Sequence, residues 1–183
     1  MRELSNSETA LLGLLSEKPM HPYMIEQEVK YRDMRFWTDL SMSSIYKLLR
    51  KLEKEGLTER KDIITQENRL KKHYSLTENG EAALKAKISQ LLSGPEHMKW
   101  QIDIGLHFAH LLSKKEIENC LHTYCTELEK KRKGYLELEQ FLKDSDCSKN
   151  RLQLAKRPVR LLEAEISWVE EYLNSLNQED SQL

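Results

Sequence analysis

Cationic side chains form a stripe along one side of a short helical segment, residues 41–57, SMSSIYKLLRKLEKEGL. Its apolar residues recur at the i, i+3, i+4, i+7 spacing of one buried helix face: Ile45, Leu48, Leu49 and Leu52. The opposite face carries a serine hydroxyl and four cations: Ser43, Lys47, Arg50, Lys51 and Lys54. Such groups bind phosphate oxygens and the acceptor edges of guanine. A basic stripe alone, however, is usually only a solvated surface.

A second basic cluster follows in a predicted β-hairpin. Residues 57–64 and 70–76 have the composition of two strands, and the polar residues between them are turn-like. Three cations lie at or near the tip: Arg69, Lys71 and Lys72. Helical segments followed by a two-stranded hairpin are the order of a winged helix-turn-helix, whose third helix enters the major groove of DNA. Both basic features therefore fall where that fold would contact DNA.

Two earlier helices are predicted to support the basic helix. The first begins at a capping box, Ser5 with Glu8, and ends before Pro19. The second begins at Pro22, because proline is favoured at the first helical position, and is expected to run to about Asp33. The basic helix would then be the third of three short helices.

The order and spacing of these residues resemble a family of bacterial transcriptional regulators, the PadR family. The resemblance covers residues 8–92 and rests on four motifs: Leu11-Leu12-Gly13-Leu14-Leu15 with Pro19, His21-x-Tyr23, Ser44-Ile45-Tyr46-x-x-Leu49-x-x-Leu52-x-x-x-Gly56-Leu57, and Tyr74-Ser75-Leu76-Thr77-x-x-Gly80. The family usually has glycine where this chain has Pro22, and often proline where it has Lys47. The resemblance implies a homodimer that represses by binding a pseudo-palindromic operator and is released by a small molecule, phenolic acids in the best-known members.

The candidate DNA contacts divide into three groups. Side chains expected to face the major groove are Ser41, Ser43, Ser44, Lys47 and Arg50, because hydroxyls read bases permissively and cations prefer guanine. Phosphate contacts are expected from Tyr23, Tyr46, Lys51 and Lys54. The hairpin is expected to hold the DNA backbone or minor groove through Arg69, Lys71 and Lys72.

The second half of the chain has the spacing of a helical dimerisation domain. We expect the DNA-binding domain to span residues 1–92, a helical domain residues 95–177 and a flexible tail residues 178–183. Two helices carry apolar residues at 4-3 spacing, starting at Ile117 and Val159, which is typical of coiled-coil packing. Pro158 would kink the last helix or mark its start. A second copy of the chain would cover the apolar surface; the alternative is an intramolecular bundle packed on the wing domain.

Aromatic residues suggest a candidate effector pocket. Trp37, expected to pack under the N-terminal helices, could join aromatics of the C-terminal helices: Trp100, Phe108, Tyr124 and Trp168. Aromatics at helical spacing are by default core residues, so this assignment competes with simple packing. The long helical C-terminal half resembles the subfamily that contains the phenolic-acid regulators.

Other functional classes find little support. His107 with His110, and His122 with Cys125, are pairs rather than metal-binding clusters, so neither a metal nor another cofactor is expected. Glycine-rich phosphate loops and catalytic serine motifs are missing, which argues against an enzyme. Three cysteines without a CxxC motif, no signal peptide and no apolar run long enough to cross a bilayer favour a soluble cytoplasmic protein with free thiols and no membrane partner. The family resemblance implies that the protein is bacterial and is associated with the nucleoid when bound to DNA.

Two alternatives to DNA binding remain open. The basic faces could meet an acidic protein, which would make the chain a winged-helix interaction module. The chain could also be a ligand-sensing adaptor without DNA binding. The fold class is the same in each case: mainly α, with an N-terminal winged helix-turn-helix, a two-stranded β wing and a C-terminal helical, coiled-coil-like dimerisation domain.

Overall fold

The computed structural model describes residues 2–64, 70–145 and 147–179 and divides the chain into two compact units, Met1–His97 and Met98–Leu183. The first unit contains helices α1 (Asn6–Glu17), α2 (Pro22–Tyr31), α3 (Met42–Lys54) and α4 (Glu78–Ser93), with strands β1 (Thr58–Ile64) and β2 (Leu70–Leu76). The second contains α5 (Gln101–His107), α6 (Lys114–Asp144) and α7 (Lys149–Glu179). Short 3₁₀ turns occur at Met34–Phe36 and Ala109–Leu111. The mainly helical class with a two-stranded wing is confirmed.

Local capping explains where the first helices begin. The Ser5 and Glu8 side chains form the predicted capping box at α1. At α2, the Nδ1 atom of His21 accepts a hydrogen bond from the Met24 backbone N–H (3.1 Å), and Pro22 occupies the first turn. Helix α2 ends at Tyr31, two residues before the predicted Asp33, which instead has a left-handed φ of 49°.

The core of the first unit lies between α1, α2 and α3. Its fully buried side chains include Leu11 and Leu12 of α1, Ile25 of α2, and Ile45, Leu49 and Leu52 of α3. Helix α3 therefore buries the apolar face that its sequence predicted and leaves the cationic face in solvent. Burial of each such side chain contributes about 1.5–3 kcal/mol, so the core fixes which face of α3 is outward.

The wing, defined as strands β1 and β2, is an antiparallel hairpin anchored to the core at its base. Its register pairs Arg60 with Tyr74 and Asp62 with Lys72. Met20 and Tyr74 exchange backbone hydrogen bonds of 3.0 and 2.9 Å, and Tyr74 is buried. The predicted turn at residues 65–69 lies outside the described residues.

The second unit is built around a helical hairpin. Leu121 and Leu128 of α6 pack with Ile166, Val169 and Leu173 of α7, at the predicted 4-3 positions. Helix α7 starts at Lys149, so Pro158 lies inside it and does not mark its start. The helix also continues through Gln178 and Glu179, the first two residues of the predicted tail; residues 180–183 lie outside the described chain. Within the described ranges, no helix has the length and apolar character needed to cross a membrane.

Candidate nucleic-acid interface

The start of α3 uses two of its three serine hydroxyls for capping. The Ser41 backbone N–H donates to the Ser44 Oγ atom (2.8 Å), and that hydroxyl donates to the Ser41 carbonyl oxygen (2.8 Å). In return, the Ser44 backbone N–H donates to the Ser41 Oγ atom (3.2 Å). Ser43 contacts the Ser41 hydroxyl at 3.0 Å and is exposed. Ser41 and Ser44 thus fix the start of the helix, and Ser43 is the hydroxyl that points outward.

An ion pair holds the connection between α2 and α3. The Arg35 guanidinium donates to a carboxylate oxygen of buried Glu26 (2.6 Å) and, through Nε, to the carbonyl oxygen of Leu40 (2.9 Å). Leu40 directly precedes the N-cap of α3. The contact therefore ties the approach to α3 to helix α2. Trp37, in the same connection, is 53% exposed, so the prediction that it packs under the helices is wrong.

A concave site of about 430 Å³ lies where α2, α3 and the wing meet. We call it the junction site, and its lining residues are His21, Pro22, Tyr23, Tyr46, Arg50, Arg60, Lys72 and Tyr74. Four of these were candidate contacts from the sequence: Tyr23, Tyr46, Arg50 and Lys72. Three cations and three phenol hydroxyls around one concave surface suit a phosphate group, since each can donate a hydrogen bond to its oxygens.

Arg60 and Tyr74 were not among the predicted contacts. The strand register pairs them, and alternation along each strand brings Lys72 to the same face of the wing. Asp62 lies 3.5 Å from the Arg60 guanidinium and partly offsets its charge. Burial raises the pKa of the Tyr74 hydroxyl, so it remains a neutral hydrogen-bond donor. The alternation of side chains along β1 alone could not show that Arg60 shares a face with Tyr74 and Lys72, because that also requires the pairing register of the two strands.

Lys51 differs from its neighbours on the basic face because it is paired within the protein. Its ammonium lies 2.8 Å from a carboxylate oxygen of Glu8, which is only 1% exposed. Arg2 donates to both oxygens of Glu8 (2.8 and 2.7 Å) and through Nε to Glu55 (3.0 Å). We call Arg2, Glu8, Lys51 and Glu55 the Glu8 cluster. Within the described residues, neither Lys47 nor Lys54 forms an ion pair, and both are exposed.

The cluster gives Glu8 an unusual acidity. Burial alone would raise its pKa, but hydrogen bonds from Arg2, Lys51 and the Ser5 backbone N–H outweigh burial and lower the pKa to about 2. The carboxylate is therefore ionised throughout the physiological range and can hold both cations.

Acid should remove this stabilisation. Because the folded-state pKa of Glu8 lies below its ordinary value, the contribution is present above about pH 4.5 and is lost as the pH falls towards 2. We expect a loss of about 1–3 kcal/mol in the free energy of unfolding, less than the full pKa difference implies because Arg2 and Lys51 are partly solvated. Urea unfolding of the native chain and Glu8→Gln between pH 2.5 and 7 measures it. Equal slopes of stability against pH for both chains would contradict the assignment.

The remaining predicted wing contacts are only partly described. Lys71 lies in β2 opposite Ile63, and only its backbone belongs to the described part of the chain. Arg69 lies outside the described residues. The cationic wing face that can be described therefore consists of Arg60 and Lys72. The roles of Arg69 and Lys71 stay predictions.

The second unit contains an apolar cavity of about 400 Å³. Of the five candidate effector-pocket residues only Tyr124 lines it, together with Ile102, Leu106, Ile117, Cys120 and Tyr172 among others. The Tyr124 hydroxyl donates to Glu165 (3.0 Å); burial and this carboxylate raise the pKa of the phenol to about 12. Trp168 stacks on Tyr172 with ring centroids 5.9 Å apart, and Trp100 and Phe108 are about half exposed. Trp37 belongs to the first unit.

Metal and thiol chemistry are not favoured by the described side chains. Across residues 2–64, 70–145 and 147–179, no three histidine, cysteine, aspartate or glutamate side chains come together as metal ligands. Burial raises the pKa of the Cys125 thiol, which disfavours its reactive thiolate.

Comparisons with known proteins agree with the fold. Residues 11–86 match the transcriptional regulator PadR-like family. Bacillus subtilis PadR in complex with operator DNA is 23% identical, covers 92% of this chain and 98% of its own, and superposes with a TM-score of 0.72. The same protein in complex with p-coumaric acid is 21% identical, with a TM-score of 0.74 and coverage of 93% and 94%. The Vibrio cholerae virulence activator AphA is 21% identical, with a TM-score of 0.63 and coverage of 95% and 99%. No curated protein matches the sequence.

Residues 11–86 thus match a family of transcriptional regulators, and the winged-helix fold is shared with the solved PadR structures. Residues 11–86 carry the PadR-like family domain, which confirms the resemblance seen in the sequence motifs. The family match runs from the middle of α1 to the middle of α4, and so includes α2, α3 and both strands of the wing.

Proposed function

We propose that the protein is a sequence-specific repressor that binds a pseudo-palindromic operator as a homodimer. The observation that carries this proposal is the junction site, where three cations and three tyrosine hydroxyls from α2, α3 and the wing surround one concave surface. In a winged helix-turn-helix the third helix lies in the major groove, so a phosphate of the adjacent strand would occupy this surface.

The side chains of α3 would divide the work of recognition. Ser43 and Lys47 are exposed on the outward face and would meet base edges in the groove. Tyr23, Tyr46 and Lys72 would hold phosphates, and Lys54 would extend this contact along the backbone. Arg50 lines the junction site and is exposed on α3, so it would contact either a phosphate or a base edge.

Dimerisation is supported by the apolar surface of the second unit. Helix α5 and the following turn bury no residue within the chain, and Ile104 and Leu111 are 66% and 76% exposed. Exposed apolar patches of this kind are typical of protein interfaces. A second copy would cover them and would place two α3 helices about one DNA turn, roughly 34 Å, apart.

A small aromatic effector is the proposed regulatory partner. Bacillus subtilis PadR has been seen in complex with p-coumaric acid, and this chain shares its fold. The cavity beside Tyr124 has an almost wholly apolar lining and a size suited to one aromatic ring with a short substituent. Calorimetry measures the affinity of the native chain and of Tyr124→Phe for p-coumaric acid and for benzoate. A lower affinity of Tyr124→Phe for either compound would indicate that the compound binds in this cavity.

Sequencing of captured genomic DNA tests the proposed function. The purified full chain is mixed with sheared genomic fragments at about 150 mM salt, and retained duplexes are sequenced. A recovered inverted repeat, with half-site centres about 10 bp apart or a multiple of that, is the expected result. If no fragment is enriched and titrations with duplex DNA show a flat dependence on salt, the basic faces do not bind DNA. The interaction-module and adaptor alternatives would then be favoured.

A further inference from the structure

A buried acid lies directly beside the proposed DNA-binding face. Glu8 is on α1, 43 positions before Lys51 in the sequence, and the fold brings its carboxylate to the last turn of α3. Its two oxygens accept hydrogen bonds from Arg2, its Oε1 atom lies against the Lys51 ammonium, and its Oε2 atom accepts from the Ser5 backbone N–H (2.9 Å). The carboxylate is fully occupied and faces cations that would otherwise be available to phosphate.

Lys47 and Lys51 make a matched pair on the same helix. They are one helical turn apart, both are exposed, and both line the concave surface between the N-terminal segment and α3. Of these two lysines, only Lys51 has an ion-pair partner among the described residues. The chain therefore contains two similar lysines, of which one is free to meet DNA and the other is held by a buried acid.

We propose that Glu8 is a specificity-determining residue, which holds the Lys51 ammonium within the protein and withholds it from the DNA backbone. This inference rests on the proposed function and removes Lys51 from the predicted phosphate contacts. Glu8 acts through Lys51 rather than by touching DNA, so it is a positioning residue.

The physical reason lies in the nature of phosphate contacts. Each cation that neutralises a phosphate releases counterions, and the gain in affinity is the same for every DNA sequence. For Lys51 to make such a contact, it would have to leave a buried carboxylate with one cation fewer, which is strongly unfavourable. Glu8 therefore lowers indiscriminate binding and leaves discrimination to the side chains that reach base edges.

The test compares salt dependence for a duplex of random sequence, using the full chain. We expect Lys54→Met, which removes an exposed lysine of α3 that is proposed to contact a phosphate, to reduce the slope of log affinity against log salt by about one unit per bound protomer. Lys51→Met should leave that slope within error of the native value. Glu8→Gln should steepen it by about one unit per protomer and raise the affinity for random DNA by roughly fivefold at 0.15 M salt, because Lys51 becomes free.

The double variant Glu8→Gln with Lys51→Met separates this role from a merely structural one. It should return the slope to the native value, whereas damage to the fold would persist or grow. Glutamine keeps an oxygen able to accept from the Ser5 N–H, so the capping box at α1 survives the change. Circular dichroism melts would check that each variant is folded.

Two results would overturn the proposal. If Lys51→Met flattens the slope as much as Lys54→Met does, then Lys51 contacts phosphate in the native protein. This comparison decides even if Glu8→Gln fails to fold. If folded Glu8→Gln binds random DNA with the native slope, Glu8 withholds nothing. In both cases the native chain still binds duplex DNA, so the proposed function stands. A native chain that binds no duplex at any salt would overturn both.

Discussion

Replacing two of the three cations of the junction site, Arg50→Met with Lys72→Met, should lower affinity for duplex DNA by roughly 30-fold per protomer at 0.15 M salt. Each phosphate contact contributes about 0.9 units of salt slope, which corresponds to roughly fivefold in affinity at that salt concentration. Both side chains line the same concave surface, so both contacts would be lost together. Fluorescence anisotropy at several salt concentrations measures the affinity and the slope, which should fall by about two units per protomer.

A matched control comes from a lysine elsewhere in the same unit. Lys85 is exposed on α4, where its ammonium pairs with Glu81, and it is not among the junction-site residues. Lys85→Met removes one charge from the protein without removing a proposed contact, so it reports the effect of net charge alone. If the double variant and Lys85→Met give the same slope, the junction site does not bind phosphate and the DNA contacts must be sought elsewhere.

The sequence predicted those features of the first unit that depend on neighbouring residues. The capping box of Ser5 with Glu8 needs only one helical turn, and the burial of Ile45, Leu49 and Leu52 follows from the period of a single helix. The outward face of α3 could therefore be assigned without knowing what packs against the inward face.

Contacts between distant segments could not be predicted in the same way. The pairing of Glu8 with Lys51 depends on how α1 crosses α3, and periodicity within one helix carries no information about that crossing. Arg60 lines the junction site because β1 and β2 pair in a particular register. A shift of β1 by one residue would turn the Arg60 side chain to the opposite face of the wing. Sequence reasoning thus found Arg50 and Lys72 of the junction site but not Arg60, and it did not show that Glu8 already neutralises Lys51.

Pro158 shows the same limit in the second unit. A proline inside a helix removes a backbone hydrogen bond, so on local grounds it should kink or start the helix. Helix α7 nevertheless extends on both sides of it, and Ala155, about one turn before it, and Val159, directly after it, are buried. Burial along the hairpin offsets the local cost, which is why tertiary packing rather than propensity sets this helix boundary.

Gly80→Ala should have the largest effect on stability of any single methyl group added to the first unit. A Cβ atom at Gly80 would lie 2.0 Å from the carbonyl oxygen of Leu57, a backbone atom that cannot rotate away. That oxygen also accepts a hydrogen bond from the Thr77 N–H (3.2 Å), and the Gly80 N–H donates to the Thr77 hydroxyl (3.0 Å). The clash would displace the start of α4 from the end of α3, at an expected cost of about 1–3 kcal/mol.

Gly13→Ala provides the opposite expectation in the same unit. Gly13 lies inside α1, and a Cβ atom there would meet nothing within 4 Å. Alanine should therefore stabilise the helix by about 0.5–1 kcal/mol, because glycine loses more backbone entropy on folding. Urea unfolding followed by circular dichroism should move the midpoint down for Gly80→Ala and up for Gly13→Ala. Because the start of α4 contacts Leu57 at the base of the wing, Gly80→Ala should also weaken DNA binding under conditions in which the unit is still folded. A Gly80→Ala variant that is less stable but binds DNA with native affinity would show that the junction site does not depend on the position of α4.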